Sequence, residues 1–187
     1  RGTVGDFARA LAKMEVPAGL VLLKADARIS PGMTSKNQGA GRMTSMANAV
    51  SIFTAAHSRY RVTEENGAIL VAPVSSPCFG PLARTLKDLA LSGPAYIVAY
   101  DLRRMIDPSL PATRPMLGFS GPPQSISLLE SPVSLYFQQL SYKAALDELV
   151  RQVPGLVWAF VEDQSPVTGR PRCMAQWVTP TGGAVSG

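Results

Sequence analysis

The apolar positions of this chain change period several times, and each change marks an element. Phe7, Ala10, Leu11 and Met14 recur at helical spacing, and Pro17 and Gly19 close that stretch. The unbroken apolar run Leu20-Val21-Leu22-Leu23 then predicts a short buried strand. Periodicity disappears from Lys24 to Arg42, where Gly, Ser, Pro and Asn accumulate, so a loop is expected there. Helical spacing returns at Met46, Ala49, Val50 and Phe53, which predicts a second helix from Ser45 to about His57. Tyr60 to Val71 flanks Asn66-Gly67, the dipeptide that best supplies the two positive φ values of a type I′ turn, and reads as a hairpin.

Pro73-Val74-Ser75-Ser76-Pro77 reads as an extended connector, with Ser75 to Phe79 as a candidate edge strand. Beyond it the spacing of Leu82, Leu86 and Leu89 predicts a helix from Pro81 to Leu91, ended by Ser92-Gly93-Pro94. Tyr96 to Tyr100 is expected as a strand. Residues 101–131 contain Pro108, Pro111, Pro115, Pro122 and Pro123 with Gly118 and Gly121, and are expected as one long loop. Val133 to Phe137 is a candidate strand. Ser141 is placed to cap a last helix that Pro154-Gly155 ends, and Leu156 to Val161 with Cys173 to Val178 form a final hairpin. The Gly-rich tail from Thr181 is expected to fray.

The pattern occurs twice. Ser45 to Phe53 aligns without a gap on Ser141 to Leu149, with Met46, Ala49, Val50 and Phe53 matching Tyr142, Ala145, Leu146 and Leu149. Phe7 to Leu11 aligns with Leu82 to Leu86. The expected fold is therefore α+β: two tandem units, 1–74 and 75–187, each a three- or four-stranded sheet with two helices packed on one face.

Composition narrows the function classes. In 187 residues the hydrophobic content of 46% supplies a core, and no run approaches the ~18 apolar residues of a membrane span. The net charge of +5 is scattered, with no arginine-rich helix and no basic run interleaved with aromatics, which argues against nucleic acid as a partner. Arg1 stands where an initiator Met would, so a processed or trimmed chain is expected. The two cysteines, Cys78 and Cys173, leave two readings: a disulfide closing the second unit in an oxidising compartment, or two buried thiols acting as small apolar residues.

Residues with reactive chemistry do not converge in the sequence, and neither a metal nor a cofactor is expected. His57 is the single histidine, and zinc sites and catalytic triads need partners for it. Gly39-Ala40-Gly41 lacks the lysine and serine of a phosphate loop, and Pro31-Gly32-Met33 is ordinary turn chemistry. Asp147-Glu148 and Glu162-Asp163 read as solvated acidic pairs, and Trp158 with Trp177 as a cross-strand core pair. The candidate contact patch is Arg103, Arg104 and Met105, where charge adjoins apolar groups at the expected loop start.

The element order resembles the short N-terminal domain of secretins and TonB-dependent outer-membrane proteins. Three stretches carry the likeness: Leu82-Ala83-Arg84-Thr85-Leu86-Lys87-Asp88-Leu89-Ala90 as the family's opening helix, Val133 to Val150 as its strand and second helix, and Pro154-Gly155-Leu156-Val157-Trp158 as the turn into its closing hairpin. In the first unit Met46 to Val71 fits the latter part, with Arg59 where the family has Gly. The resemblance implies a periplasmic, non-catalytic module that docks a protein or peptide of the cell envelope through sheet edges or helix faces. The competing expectation is a small-molecule or anion-binding protein, or a small enzyme, with a pocket under the two long loops where Arg42, Arg103 or Arg104 meets an anion.

Overall fold

Gly19 and Trp158 organise the molecule. In a computed structural model that describes residues 4–26, 46–111, 123–164, 169, 171–181 and 185–186, the strand β1 (Ala18–Leu22) pairs in parallel with β6 (Val157–Gln164), and Gly19 stands directly opposite Trp158. The indole lies so close across β1 that a Cβ on Gly19 would sit 1.9 Å from ring atoms Cε2 and Cζ2. Glycine is thus required here by a close approach, not as the helix stop that its neighbour Pro17 suggests.

The other edge of β1 pairs in parallel with β3 (Ala68–Pro73), which forms an antiparallel hairpin with β2 (Tyr60–Glu65). Asn66 and Gly67 turn that hairpin with φ of 53° and 73°, as the dipeptide predicts. Beyond β6 follow the antiparallel strands β7 (Pro171–Val178) and β8 (Val185–Ser186), giving the sheet order β2-β3-β1-β6-β7-β8. The fold class is α+β. Its arrangement differs from two separate sheets, because β1 from the first stretch lies between a hairpin from 1–74 and a hairpin from 75–187. Buried on both faces along its whole length, β1 tolerates only apolar residues and Gly.

Each face of the sheet carries its own helices. Against Leu20, Leu22, Val157 and Ala159 pack α1 (Val4–Lys13) and α2 (Met46–Ala56), through Phe7, Leu11 and Phe53. Against Val21, Trp158, Phe160 and Trp177 pack α4 (Ala95–Ile106) and α6 (Tyr142–Gln152), through Val98, Leu102, Leu146 and Leu149. Ser141 caps α6 by accepting from the Ala144 N–H (3.1 Å), and Trp158 faces Trp177 across the β6–β7 ladder, both as expected. A fourth layer, the ribbon β4 (Thr85–Pro94) with β5 (Pro132–Ser141), closes the far side of α4 and α6.

The stretch from Cys78 to Glu130 corrects the expectations most. A one-turn helix, α3 (Phe79–Leu82), replaces the edge strand expected over Ser75 to Phe79. The helix predicted over Pro81 to Leu91 is instead mostly β4. Asp88 takes a left-handed φ of 50°, which shifts the strand's alternation by one and turns both Leu86 and Leu89 inward, three residues apart. Tyr96 to Tyr100 is helical rather than extended because the apolar period continues past it, through Leu102 to Ile106, and Pro94, extended at ψ 140°, stands just before the first helical residue. The long loop expected over 101–131 gives up its ends to α4 and to α5 (Pro123–Glu130), and its middle, 112–122, lies outside the described residues. As a result Phe7 to Leu11 and Leu82 to Leu86 do not share a conformation. The helix-to-hairpin order, α2-β2-β3 and α6-β6-β7, does recur. The loop expected from Lys24 to Arg42 opens with a single 3₁₀ turn at Lys24–Asp26, and its remainder lies outside the described residues.

The Gly19→Ala variant tests the close approach. The methyl group forces the Trp158 ring away from β1, so urea unfolding is expected to show a loss of about 3 kcal/mol. A variant within ~0.5 kcal/mol of the parent, the range of an ordinary surface change, would contradict the packing.

Candidate functional site

Among the described residues the ribbon is covered on one face. Its inner face, with Leu86, Leu89, Leu91, Val133, Leu135 and Phe137, packs on α4 and α6. Its outer face carries Thr85, Lys87, Ala90, Ser92, Ser134, Tyr136 and Gln138, all exposed. Tyr136 is 65% exposed, an aromatic ring at an outward strand position beside Ala90. Two strands alone are marginal in water, so the anchored inner face is what holds the ribbon. Among the described residues β4 and β5 pair only with each other, which leaves an outer edge on each.

The β5 edge has a distinctive feature at Ser134. Its backbone N–H donates to Gln152 Oε1 (2.9 Å), and its carbonyl accepts from Gln152 Nε2 (2.9 Å). The carboxamide therefore meets Ser134 as the peptide group of a neighbouring strand would. Gln152 Nε2 is also 3.1 Å from Glu148 Oε1, which steadies it from within α6. The strand itself, PVSLYFQQLS, has no charged residue. By contrast β2, YRVTEE, lines its edge with Arg61, Glu64 and Glu65, the kind of charge that discourages strand addition.

Beneath the ribbon, buried polar groups hold α6 in place. Trp158 Nε1–H donates to Asp147 Oδ1 (2.9 Å), and Lys143 Nζ donates to Asp147 Oδ2 (2.8 Å) while pairing with Glu65 Oε2 (2.9 Å). Asp147, expected on a solvated face, is only 4% exposed, because the Trp158 indole needs an acceptor. Burial works against a charge on Lys143, but the hydrogen bonds and negative charges of Asp147 and Glu65 outweigh it and raise its pKa. Arg151 donates to the Asn66 carbonyl (2.8 Å), a second tie from α6 to the β2–β3 hairpin.

The expected contact residues do not form one patch. Arg103, Arg104 and Met105 are consecutive on the last turn of α4, where basic side chains suit the helix dipole, and a helix turns them in three directions. Arg103 is half-buried near the Tyr142 phenol, Arg104 is half-buried with its Nε lacking a partner among the described residues, and Met105 is 43% exposed. His57 follows α2 and stacks on Phe53, ring centroids 4.8 Å apart. Of the acidic pairs, Asp163 bridges Lys24 (3.0 Å) and Arg172 (2.7 Å). Arg42, Gly39-Ala40-Gly41 and Pro31-Gly32-Met33 lie outside the described residues.

A shallow cleft of about 270 Å³ opens between α5 and the segment after β7, lined by Gln124, Ser127, Leu128, Pro180 and Thr181. Beside it the buried Ser125 hydroxyl lies 2.7 Å from both Thr179 Oγ1 and Thr181 Oγ1, tying α5 to that segment. Neither Arg103 nor Arg104 lines this cleft. Among the described residues no group of three His, Cys, Asp or Glu is placed to hold a metal ion, and no helix is long and apolar enough to cross a membrane.

Of the two readings for the cysteines, the structure has the bonded one. Cys78, ahead of α3, is joined to Cys173 on β7, 95 positions further along the sequence, with Cα atoms 5.6 Å apart. The bond fastens the connector after β3 to the sheet that supports α4 and α6. In comparisons with protein-family models, with curated proteins and with solved structures, nothing matches this chain. Sequence reasoning missed Ser134, Gln152 and Asp147. The signal for the ribbon was present in Tyr136, whose parity is opposite to that of Val133, Leu135 and Phe137.

Two measurements test these contacts. Cutting the Cys78–Cys173 bond, by reductant or by the Cys78→Ala/Cys173→Ala pair, removes a cross-link over 95 positions and is expected to lower stability by about 4 to 5 kcal/mol in the chain-entropy model. An unchanged denaturation midpoint, or free thiols in the unreduced protein, would rule the bond out. The second is an alkaline titration. Burial pushes the Tyr60 and Tyr142 phenols far above the ordinary range, with the Asp26 carboxylate adding to the rise at Tyr60 and Arg103 opposing it at Tyr142. Above about pH 10 an unfolded tyrosine loses its proton while these two keep theirs, so their stabilisation is complete below that pH and declines as pH climbs. Tyrosinate absorbance from Tyr60 and Tyr142 should appear only together with the loss of circular dichroism. Full ionisation in an intact fold would count against their burial.

Proposed function

We propose that this chain is an extracytoplasmic interaction or assembly module that takes an added strand along the outer edge of β5. The observation carrying this reading is the Gln152 carboxamide on Ser134, which already makes the two hydrogen bonds an incoming peptide group would make. The uncharged strand and the outward Tyr136 support it, since both favour strand addition and neither is needed by the core. The Cys78–Cys173 bond supports a location outside the cytoplasm, where disulfides persist.

The kinship proposed with the short N-terminal domain of secretins and TonB-dependent proteins rests on Val133 to Val178, where strand, capped helix and closing hairpin follow in the family's order. Leu82 to Ala90, matched to the family's opening helix, runs through the end of α3 into β4, so that stretch lends the kinship no support. The partner is a protein or peptide of the cell envelope.

A photo-crosslinking amino acid at position 136, compared with one at Ile52 on the exposed side of α2, tests the reading in the cell that makes the protein. Covalent adducts to an envelope protein are expected from position 136 and not from position 52. Equal adducts from both positions, or none from 136, would overturn the assignment of the β5 edge.

A further inference from the structure

We propose that the occupant of the β5 edge is β5 of a second copy of this chain, paired antiparallel so that two ribbons become one four-stranded sheet about a twofold axis. This deepens the reading of β5 as an acceptor strand and rests on it.

The outward direction of the backbone is fixed by Gln152. Both its contacts are to Ser134, so the N–H and C=O of Ser134 point away from β4. In an antiparallel ladder alternate residues share that direction, which turns the N–H and C=O of Tyr136, opposite Ala90, outward as well; the ladder is interrupted one step further on, at Gln138 opposite Asp88. An axis centred on Tyr136 then sets Tyr136 opposite its own copy and Ser134 opposite Gln138. In that register the outward N–H and C=O of Tyr136 pair with those of its copy, and the two exposed rings meet as a cross-strand aromatic pair.

Charge selects the same strand. Self-pairing places side chains beside copies of themselves, so any charge near the axis meets its like. The ten residues of β5 contain none. Self-pairing of β2 would bring Glu64 and Glu65 together, and β4 carries Lys87 and Asp88 on its exposed positions. The contact is one strand pair, smaller than a standard interface, so it forms a concentration-dependent equilibrium rather than a permanent dimer. Gln152 must release Ser134 first and is a built-in competitor.

Sedimentation velocity on the full chain with its disulfide intact, from micromolar to millimolar concentration, tests this. A monomer–dimer equilibrium is expected, tightened about 25-fold by Gln152→Ala, which is about fivefold, the worth of one net hydrogen bond, for each of the two copies. It is expected to be lost in Tyr136→Pro, a change that an outward edge position accommodates. In the unaltered protein the Tyr136 amide should gain protection from hydrogen exchange as the dimer forms, a readout independent of how any variant folds. A monomer at every concentration, or a dimer in which this amide exchanges as fast as in the monomer, overturns the proposal. If position 136 still captures a different envelope protein, the acceptor edge stands without the second copy; if it captures nothing, both fall.

Discussion

The contact between the Trp158 indole and the bare backbone of Gly19 is the constraint on which the other layers depend. It lets β1 and β6 approach at strand spacing while the largest side chain of the core lies across their shared face. The indole N–H then reaches Asp147, which fixes the rotation of α6, and Lys143 extends the same chain of contacts to Glu65 on the far hairpin. Buried networks of this kind are strong only when every member is satisfied, and here each has a partner. The position of α6 in turn places Gln152 beside β5. The candidate interaction edge is therefore oriented by a packing event on the opposite side of a helix.

The four layers divide the work. The α1–α2 layer and the sheet form one apolar cluster, and the other face of the sheet forms a second with α4, α6 and the ribbon. The sheet edge at β2 is guarded by charge, whereas among the described residues the ribbon's β5 edge is held by one amide, that of Gln152. Such an edge is a liability in a protein that stays alone, and a use for it follows naturally when neighbours are within reach.

Local signals in the sequence were reliable wherever the chemistry was local. Asn66-Gly67 set the first hairpin, Ser141 capped α6, and the apolar periods of α1, α2 and α6 placed those helices. The failures came where spacing was ambiguous or contacts were distant. Leu82, Leu86 and Leu89 fit a helix as well as a strand interrupted at Asp88, and only the packing against α4 and α6 decides between them. The β1–β6 pairing was invisible because periodicity says which residues are buried and not which strand lies alongside. At the candidate site, the outward parity of Tyr136 was legible. The Gln152 bracket was not, since it joins a side chain to a backbone 18 residues away.

The sheet order also has a bearing on time. Strand β1 emerges well before the strand that completes it, β6, which lies near residue 160, and Cys78 waits for Cys173. Pairings of such long range come late in folding and are slow to search. Until then β1 is a fully apolar strand with one side open, lacking the indole that will lie across it. A chain built this way is most exposed to misassembly between the arrival of β1 and that of the β6–β7 hairpin, so its safety depends on how fast the hairpin follows the strand it completes.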